Sequence, residues 1–320
     1  METSFIEEQV TINGEVILKG TLTIPQIEKE QLPAVLIING SGAANRDGNI
    51  KIPPIKFNIY KKLSHFITEL GFITLRYDKR GIGESKGNAR TAGVSDLVDD
   101  INSNIRFLQD HPKVNKDKII LLGHSEGCIL STIANEITPV SGLILLSGAG
   151  TNLREPLKYQ NSQIVEEAKK SKGLKGVIFK RAFEESKNQK QQDDLYNIVI
   201  NSTGDTIKYK HKKMPAKWFR EHFKYSSEEI LDKLKNAQCP IIAITGEKDV
   251  QANPEDLKSI ENLGKENIKC MTIRNMDHIL KEFTGKKTAL GAIKQYKKEI
   301  SHPIHPQLKE ALGEWLTKFK

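Results

Sequence analysis

Six short apolar runs, rich in Val, Ile and Leu, recur along this 320-residue chain and constrain its fold more than any other feature. They are PAVLIING (33–40), FITLRYD (72–78), KIILLGHS (118–125), VSGLILLSG (140–148), PIIAITGEKD (240–249) and NIKCMTI (267–273). Between them lie amphipathic helical patterns, at 58–70, about 95–110 and about 126–135, and a last one from about 306 to 319. Continuous β-branched runs alternating with helices predict a mostly parallel sheet covered on both faces. Residues 6–12 and 15–24 read as two further strands, joined by Asn13-Gly14, a dipeptide that favours a tight hairpin turn. The alternation breaks after Gly150. Residues 151–236 show no strand pair and carry helical periodicity instead, as in Leu174, Val177, Ile178 and Ala182, and again in Leu195, Ile198 and Val199. The expected organisation is a core of residues 1–150 and 237–320, interrupted by a helical insertion at 151–236.

The third run leads into GHSEG (123–127), a G-x-S-x-G pattern placed directly after a strand and directly before a helix. Such a turn presents Ser125 at the end of the sheet, and Gly123 and Gly127 remove side chains that would collide with neighbouring backbone. The competing reading is an ordinary turn with a capping serine. A serine hydroxyl is a weak nucleophile at neutral pH; it needs a base, and the base needs an orienting carboxylate. In a nucleophile-elbow enzyme the order along the chain is Ser, acid, His. Asp249 follows the strand at 241–246 and His278 follows the strand after it, at the edge where the serine turn emerges and where open α/β sheets bind ligands. Rivals for the base are His124, His302 and His305; rivals for the acid are Glu247, Asp256 and Asp277. Two backbone N–H groups are needed to bind the tetrahedral oxyanion. One is expected from Glu126, the residue after the nucleophile, and the other from the NGSG loop (39–42), with Ser41 ahead of Gly42.

The stretches NGSGAANRDGN (39–49), YDKRGIGES (77–85), GHSEG (123–127), GEKD (246–249) and DHIL (277–280) together resemble α/β-hydrolases of the esterase group related to dienelactone hydrolases and prolyl-oligopeptidase-like catalytic domains. The resemblance implies the α/β-hydrolase fold, with Ser125, Asp249 and His278 as nucleophile, acid and base. In place of the His-Gly that such enzymes often carry at the oxyanion strand end, this chain has Asn39-Gly40. The resemblance also implies that Asp78 and Arg80 brace a loop rather than take part in chemistry. Cys128, three residues beyond Ser125 on the same helix, reads as packing, since a reactive thiol needs exposure and a low pKa.

The insertion carries nine of the chain's twenty aromatic residues, including Tyr196, Trp218, Phe219 and Phe223, and is expected to cap the site and shape an apolar pocket. It also holds 19 Lys and Arg against 12 Asp and Glu, most of the chain's net charge of +9. The charges are interspersed, which fits a solvated surface better than a nucleic-acid site, so no nucleic acid is expected as a partner. No stretch approaches the roughly 18–20 apolar residues that span a bilayer, and the N-terminus lacks the pattern of a secretory leader. Three cysteines without paired spacing fit a reducing, cytoplasmic setting. With no H-x-x-x-H or C-x-x-C pattern, neither a metal nor another cofactor is expected. The expected activity is hydrolysis of a small-molecule carboxylic ester through an acyl-enzyme. A thioesterase or small-amide hydrolase on the same three residues, or a binding protein on the same fold, are the alternatives.

Overall fold

The apolar runs become strands of one sheet, and their unbroken hydrophobicity has a direct cause: successive side chains enter two different cores. The computed structural model describes residues 4–286 and 288–320, apart from the side chains of 174, 175, 185, 186 and 188. The strands are β1 (Phe5–Ile12), β2 (Leu18–Pro25), β3 (Leu32–Ile38), β4 (Ile73–Tyr77), β5 (Val114–His124), β6 (Gly142–Leu146), β7 (Ile241–Gly246) and β8 (Ile268–Ile273). Their order across the sheet is β1-β2-β4-β3-β5-β6-β7-β8. β2 pairs antiparallel with both β1 and β4, and every later pairing is parallel.

The helices are α1 (Ile59–Glu69), α2 (Val94–Gln109), α3 (Glu126–Ile137), α4 (Arg154–Lys170), α5 (Gly173–Ala182), α6 (Glu185–Ile200), α7 (Ala216–Lys224), α8 (Ser227–Asn236), α9 (Leu257–Glu261), α10 (Ala292–Lys298) and α11 (Pro306–Leu316). On one face, Leu36, Leu121, Leu145 and Ala243 pack with apolar side chains of α2, α3 and α8. On the other, Ile37, Leu122, Leu146 and Ile244 pack with those of α1 and α11. Burying each such side chain stabilises the fold by about 1.5–3 kcal/mol. β3 lies between β4 and β5, so the chain turns back on itself there, and the ends of β3 and β5 flank the crevice this reversal creates.

Three local expectations are corrected. Ile12 pairs with Leu18, so residues 13–17 form a longer connection and β2 begins at Leu18, not at 15. Gly14 does not supply a left-handed turn residue; a Cβ there would lie 2.6 Å from Ser103 Oγ, so the glycine serves close packing against α2. Within 151–236, helices α4–α8 are accompanied by a hairpin, Thr206–Tyr209 paired with Lys212–Pro215. Its two central residues, Lys210 and His211, both have positive φ, 45° and 65°. That is the backbone of a primed hairpin turn without the Asn-Gly that normally announces it. The apolar residues assigned to α5 are also not its buried face. Val177 and Ile178 are 67% and 65% exposed, Ala182 is exposed too, and the side chain of Leu174 lies outside the described residues. The half-buried Phe179 and Phe183, with ring centroids 6.2 Å apart, take that role.

Candidate active site

Ser125 sits between β5 and α3 with φ 56° and ψ −121°, a conformation L-residues rarely adopt. Its surroundings hold it there. Ser125 N–H donates to Leu146 O (2.8 Å), and Ser125 O accepts from Cys128 N–H (2.9 Å). A Cβ on Gly123 would lie 2.2 Å from Gly127 O, and one on Gly127 would lie 2.3 Å from Ile38 O, so neither position admits a side chain. The turn is thus wedged against β3 and its own helix.

Asp249 follows β7 and is buried. Its Oδ1 accepts from the N–H groups of Gln251 (2.7 Å) and Ala252 (2.9 Å), and its Oδ2 lies 2.9 Å from His278 Nδ1. Burial pushes the Asp249 carboxyl up, but attraction to His278 and these hydrogen bonds outweigh it and hold the pKa below the ordinary value. Asp249 is therefore a carboxylate placed to accept from His278 Nδ1–H. Among the described residues, no hydrogen bond joins Ser125 Oγ to His278 Nε2. His124, which adjoins Ser125, ties the serine turn to the His278 segment. His124 Nε2 donates to His278 O at 2.8 Å, and the two rings are 4.9 Å apart. Burial drives the His124 pKa down to about 3, so this ring stays neutral.

The rivals go elsewhere. His305 Nδ1 caps α11 by accepting from Gln307 N–H, and His302 is exposed. Glu247 accepts from Asn275 N–H and Asp277 from Lys281 N–H, while Asp256 sits in a helical turn after β7. Asp78 accepts from the N–H groups of Arg46 and Glu84, and Arg80 pairs with Asp100 (2.8 Å), both as loop braces. Cys128 is buried, and burial raises its thiol pKa.

Ser41 and Glu126 border the same cavity as Ser125, a space of about 110 Å³ that Ile129, Leu157 and Trp218 also line. Among the described residues, neither the Ser41 nor the Glu126 N–H donates to a protein acceptor. The loop that carries Ser41 is held from two sides that sequence reasoning did not reach. Gly40 N–H donates to Tyr60 Oη (2.9 Å), whose O–H donates to His124 Nδ1 (3.0 Å). On the other side, Lys79 Nζ donates to Gly40 O (2.6 Å) and lies 3.2 Å from Glu126 Oε2. The buried Glu126 carboxylate further accepts from Trp218 Nε1 and His222 Nε2 (2.9 Å) of α7. Burial alone would raise its pKa; Lys79, His222 and Trp218 together bring it down to about 2. From α4, Tyr159 Oη donates to Asp249 O (3.2 Å) and Gln160 Nε2 to Gln251 O (3.0 Å). Among the described residues, no group of three or more His, Cys, Asp or Glu is placed to hold a metal ion, and no helix is long and apolar enough to cross a membrane.

The esterase EstD of Thermotoga maritima is 24% identical over 319 residues, 98% of this chain and 68% of the relative. Among solved structures, Est1E from Butyrivibrio proteoclasticus aligns with a TM-score of 0.58 at 17% identity, covering 97% of this chain and 98% of that one. The Pyrococcus furiosus esterase Pf2001 aligns with a TM-score of 0.56 at 14% identity, covering 98% and 91%. These likenesses show the α/β-hydrolase fold. Residues 56–281, which include Ser125, Asp249 and His278, match the family described as serine aminopeptidase, S33. The chain belongs to that family of α/β-hydrolases.

Proposed function

We propose that this protein is a serine hydrolase that cleaves small carboxylic esters through an acyl-enzyme. The observation that carries the reading is the strained Ser125 turn, tied through His124 to an Asp249–His278 pair at 2.9 Å, with two uncommitted backbone N–H groups on the cavity at Ser125. Ser125 Oγ attacks the ester carbonyl while His278 Nε2 takes its proton. Asp249 fixes the imidazole tautomer and stabilises the imidazolium. The N–H groups of Ser41 and Glu126 receive the oxyanion. Collapse expels the alcohol, protonated by His278. Water, deprotonated by the same nitrogen, then releases the acid. The Oγ–Nε2 hydrogen bond forms with substrate in place, as catalytic contacts often tighten only in the complex. None of these steps calls on a cofactor.

In this reading residues 1–150 and 237–320 form the catalytic core, and 151–236 are a cap. Support comes from Trp218 and Leu157 on the cavity wall and from the hydrogen bonds of Tyr159 and Gln160 to the acid loop. Three free cysteines fit a cytoplasmic setting. The names of EstD, Est1E and Pf2001 favour esters. The family description raises an aminopeptidase reading, but a substrate α-ammonium needs an unengaged carboxylate. Among the described residues, Glu126 is the one acidic residue lining the cavity, and it is already bound to Lys79, Trp218 and His222.

The test compares wild type with Ser125→Ala on p-nitrophenyl esters, aminoacyl p-nitroanilides and acyl-CoA, read as kcat/KM, together with fluorophosphonate labelling. Ester turnover and labelling that both vanish in Ser125→Ala are the expected result. Comparable turnover in the two proteins overturns the mechanism, and a preference for anilides or acyl-CoA overturns the substrate class.

A further inference from the structure

We propose that Lys79 is a positioning residue of the oxyanion hole: it straps the hole's two walls together and strengthens one of the two donors. The inference rests on the reading of Ser125 as nucleophile and of the Ser41 and Glu126 N–H groups as oxyanion donors. Lys79 Nζ donates to Gly40 O at 2.6 Å. Gly40 C=O and Ser41 N–H are the two ends of a single amide. A cation on the carbonyl oxygen favours the resonance form with a C–N double bond and positive nitrogen. Ser41 N–H thereby becomes a stronger donor, in the manner of cooperative hydrogen bonding. It does so on the side of the amide where an oxyanion would sit, beside the cavity that Ser41 and Ser125 share.

The same ammonium lies 3.2 Å from Glu126 Oε2. Glu126 supplies the second donor from its backbone, so Lys79 links the residue of one donor to the amide of the other. The side chains of Lys79 and Glu126 are 7% and 1% exposed. A buried ammonium is tolerated only with a partner, and Glu126 is that partner. The carboxylate is in turn held on its other oxygen by Trp218 and His222. Glu126 thus has no freedom to swing away and release Lys79. The preceding Asn39–Gly40 amide is fixed as well, its N–H donating into the Tyr60–His124 chain. Both ends of the Gly40 residue are therefore constrained, and Lys79 is the one cation on it among the described residues.

The test uses the full chain and four variants: Lys79→Met, Lys79→Arg, Glu126→Gln and the double variant Lys79→Met/Glu126→Gln. Lys79→Met leaves a buried carboxylate short of its cation and is the variant most exposed to unfolding; the double variant removes both charges at nearly constant shape. Circular dichroism and a thermal melt establish that each is folded. The readouts are kcat and KM for p-nitrophenyl butyrate and the inhibition constant of a trifluoromethyl ketone, which forms a tetrahedral oxyanion adduct with an active serine. The ground-state reference is the matching unreactive alcohol. In the folded double variant kcat falls about 10- to 100-fold with KM within about threefold, below the 10²–10³ of losing a donor outright. Ketone affinity falls by a similar factor and alcohol affinity stays within about threefold. Lys79→Arg, which keeps a cation on Gly40 O, recovers most of kcat.

A merely structural Lys79 would change stability without this split between ketone and alcohol. A folded double variant whose kcat and ketone affinity stay within twofold of wild type overturns the proposal, while wild-type fluorophosphonate labelling of Ser125 leaves the hydrolase reading standing. A wild type that neither labels nor hydrolyses esters overturns the hydrolase reading and this inference with it.

Discussion

Asp249 and Tyr60 show how differently two residues can serve one site. Asp249 sits beside the proposed base, with Oδ2 2.9 Å from His278 Nδ1. Asp249→Asn keeps the shape but presents an amide that can donate to Nδ1, which favours the tautomer with its proton on Nε2, where the base must be vacant. The expected result is a fall in kcat of about 10³–10⁴ for p-nitrophenyl butyrate with KM little changed, measured on folded protein. Tyr60 touches no reacting atom. Its hydroxyl accepts from Gly40 N–H and donates to His124 Nδ1, both buried. Tyr60→Phe strands both groups and should cost about 1–3 kcal/mol of stability, read from urea unfolding. The contrast explains what the sequence discloses. Ser125, Asp249 and His278 stand out in the sequence because the proposed chemistry calls for those residue types, in that order, at the ends of β5, β7 and β8. Tyr60 and Lys79 work by bonding backbone groups of a distant loop. Tyr and Lys are common residues, and nothing in their local context marks such a partner.

At the level of elements, the core strands were legible because burial on both faces requires β-branched and apolar residues at every position. Leu121 faces one core and Ile120 the other. The 151–236 segment gave weaker signals. Its hairpin turns through Lys210 and His211 in left-handed conformations, against the preference that makes Asn-Gly recognisable. In α5, apolar spacing pointed to Val177 and Ile178, which lie on the solvent side; helical periodicity finds a stripe but not which stripe a small, half-buried unit covers. A pair of substitutions separates exposure from burial here. The double change Val177→Ser/Ile178→Ser should alter stability by no more than about 0.5 kcal/mol. Val199→Ala on α6, where Val199 is fully buried, should cost about 1–3 kcal/mol. Thermal melts of both variants check this, and an insertion core built on the α5 face would give the reverse ranking.

Over the whole molecule, the same buried network that organises the site makes the fold sensitive to acid. His124 is driven down from 6.5 to about 3 by burial. The unfolded chain therefore binds a proton below pH 6.5 that the folded chain refuses, and stability falls as pH drops from 6.5 through 3. His111 and His305 are also lowered by burial and add to that slope. Glu126 is held at about 2 against an ordinary 4.5, because Lys79, His222 and Trp218 together outweigh its burial. Its contribution is fully present above pH 4.5 and is lost as pH falls through 2, about 3 kcal/mol in all at 1.36 kcal/mol per unit. Wild type should thus lose stability from pH 6.5 downward, with the Glu126 contribution added below 4.5. Glu126→Gln separates the two contributions. At pH 7 it is already weakened, since Lys79 has lost its counter-charge. Below pH 4.5 its curve is flatter than that of wild type, because the carboxylate that would have titrated is gone. Urea unfolding at pH 7, 5.5, 4.5 and 3.5 measures both curves. Parallel curves below pH 4.5 would mean that Glu126 does not carry the acid sensitivity; converging ones assign it to the carboxylate that stands between the Ser125 turn, Lys79 and α7.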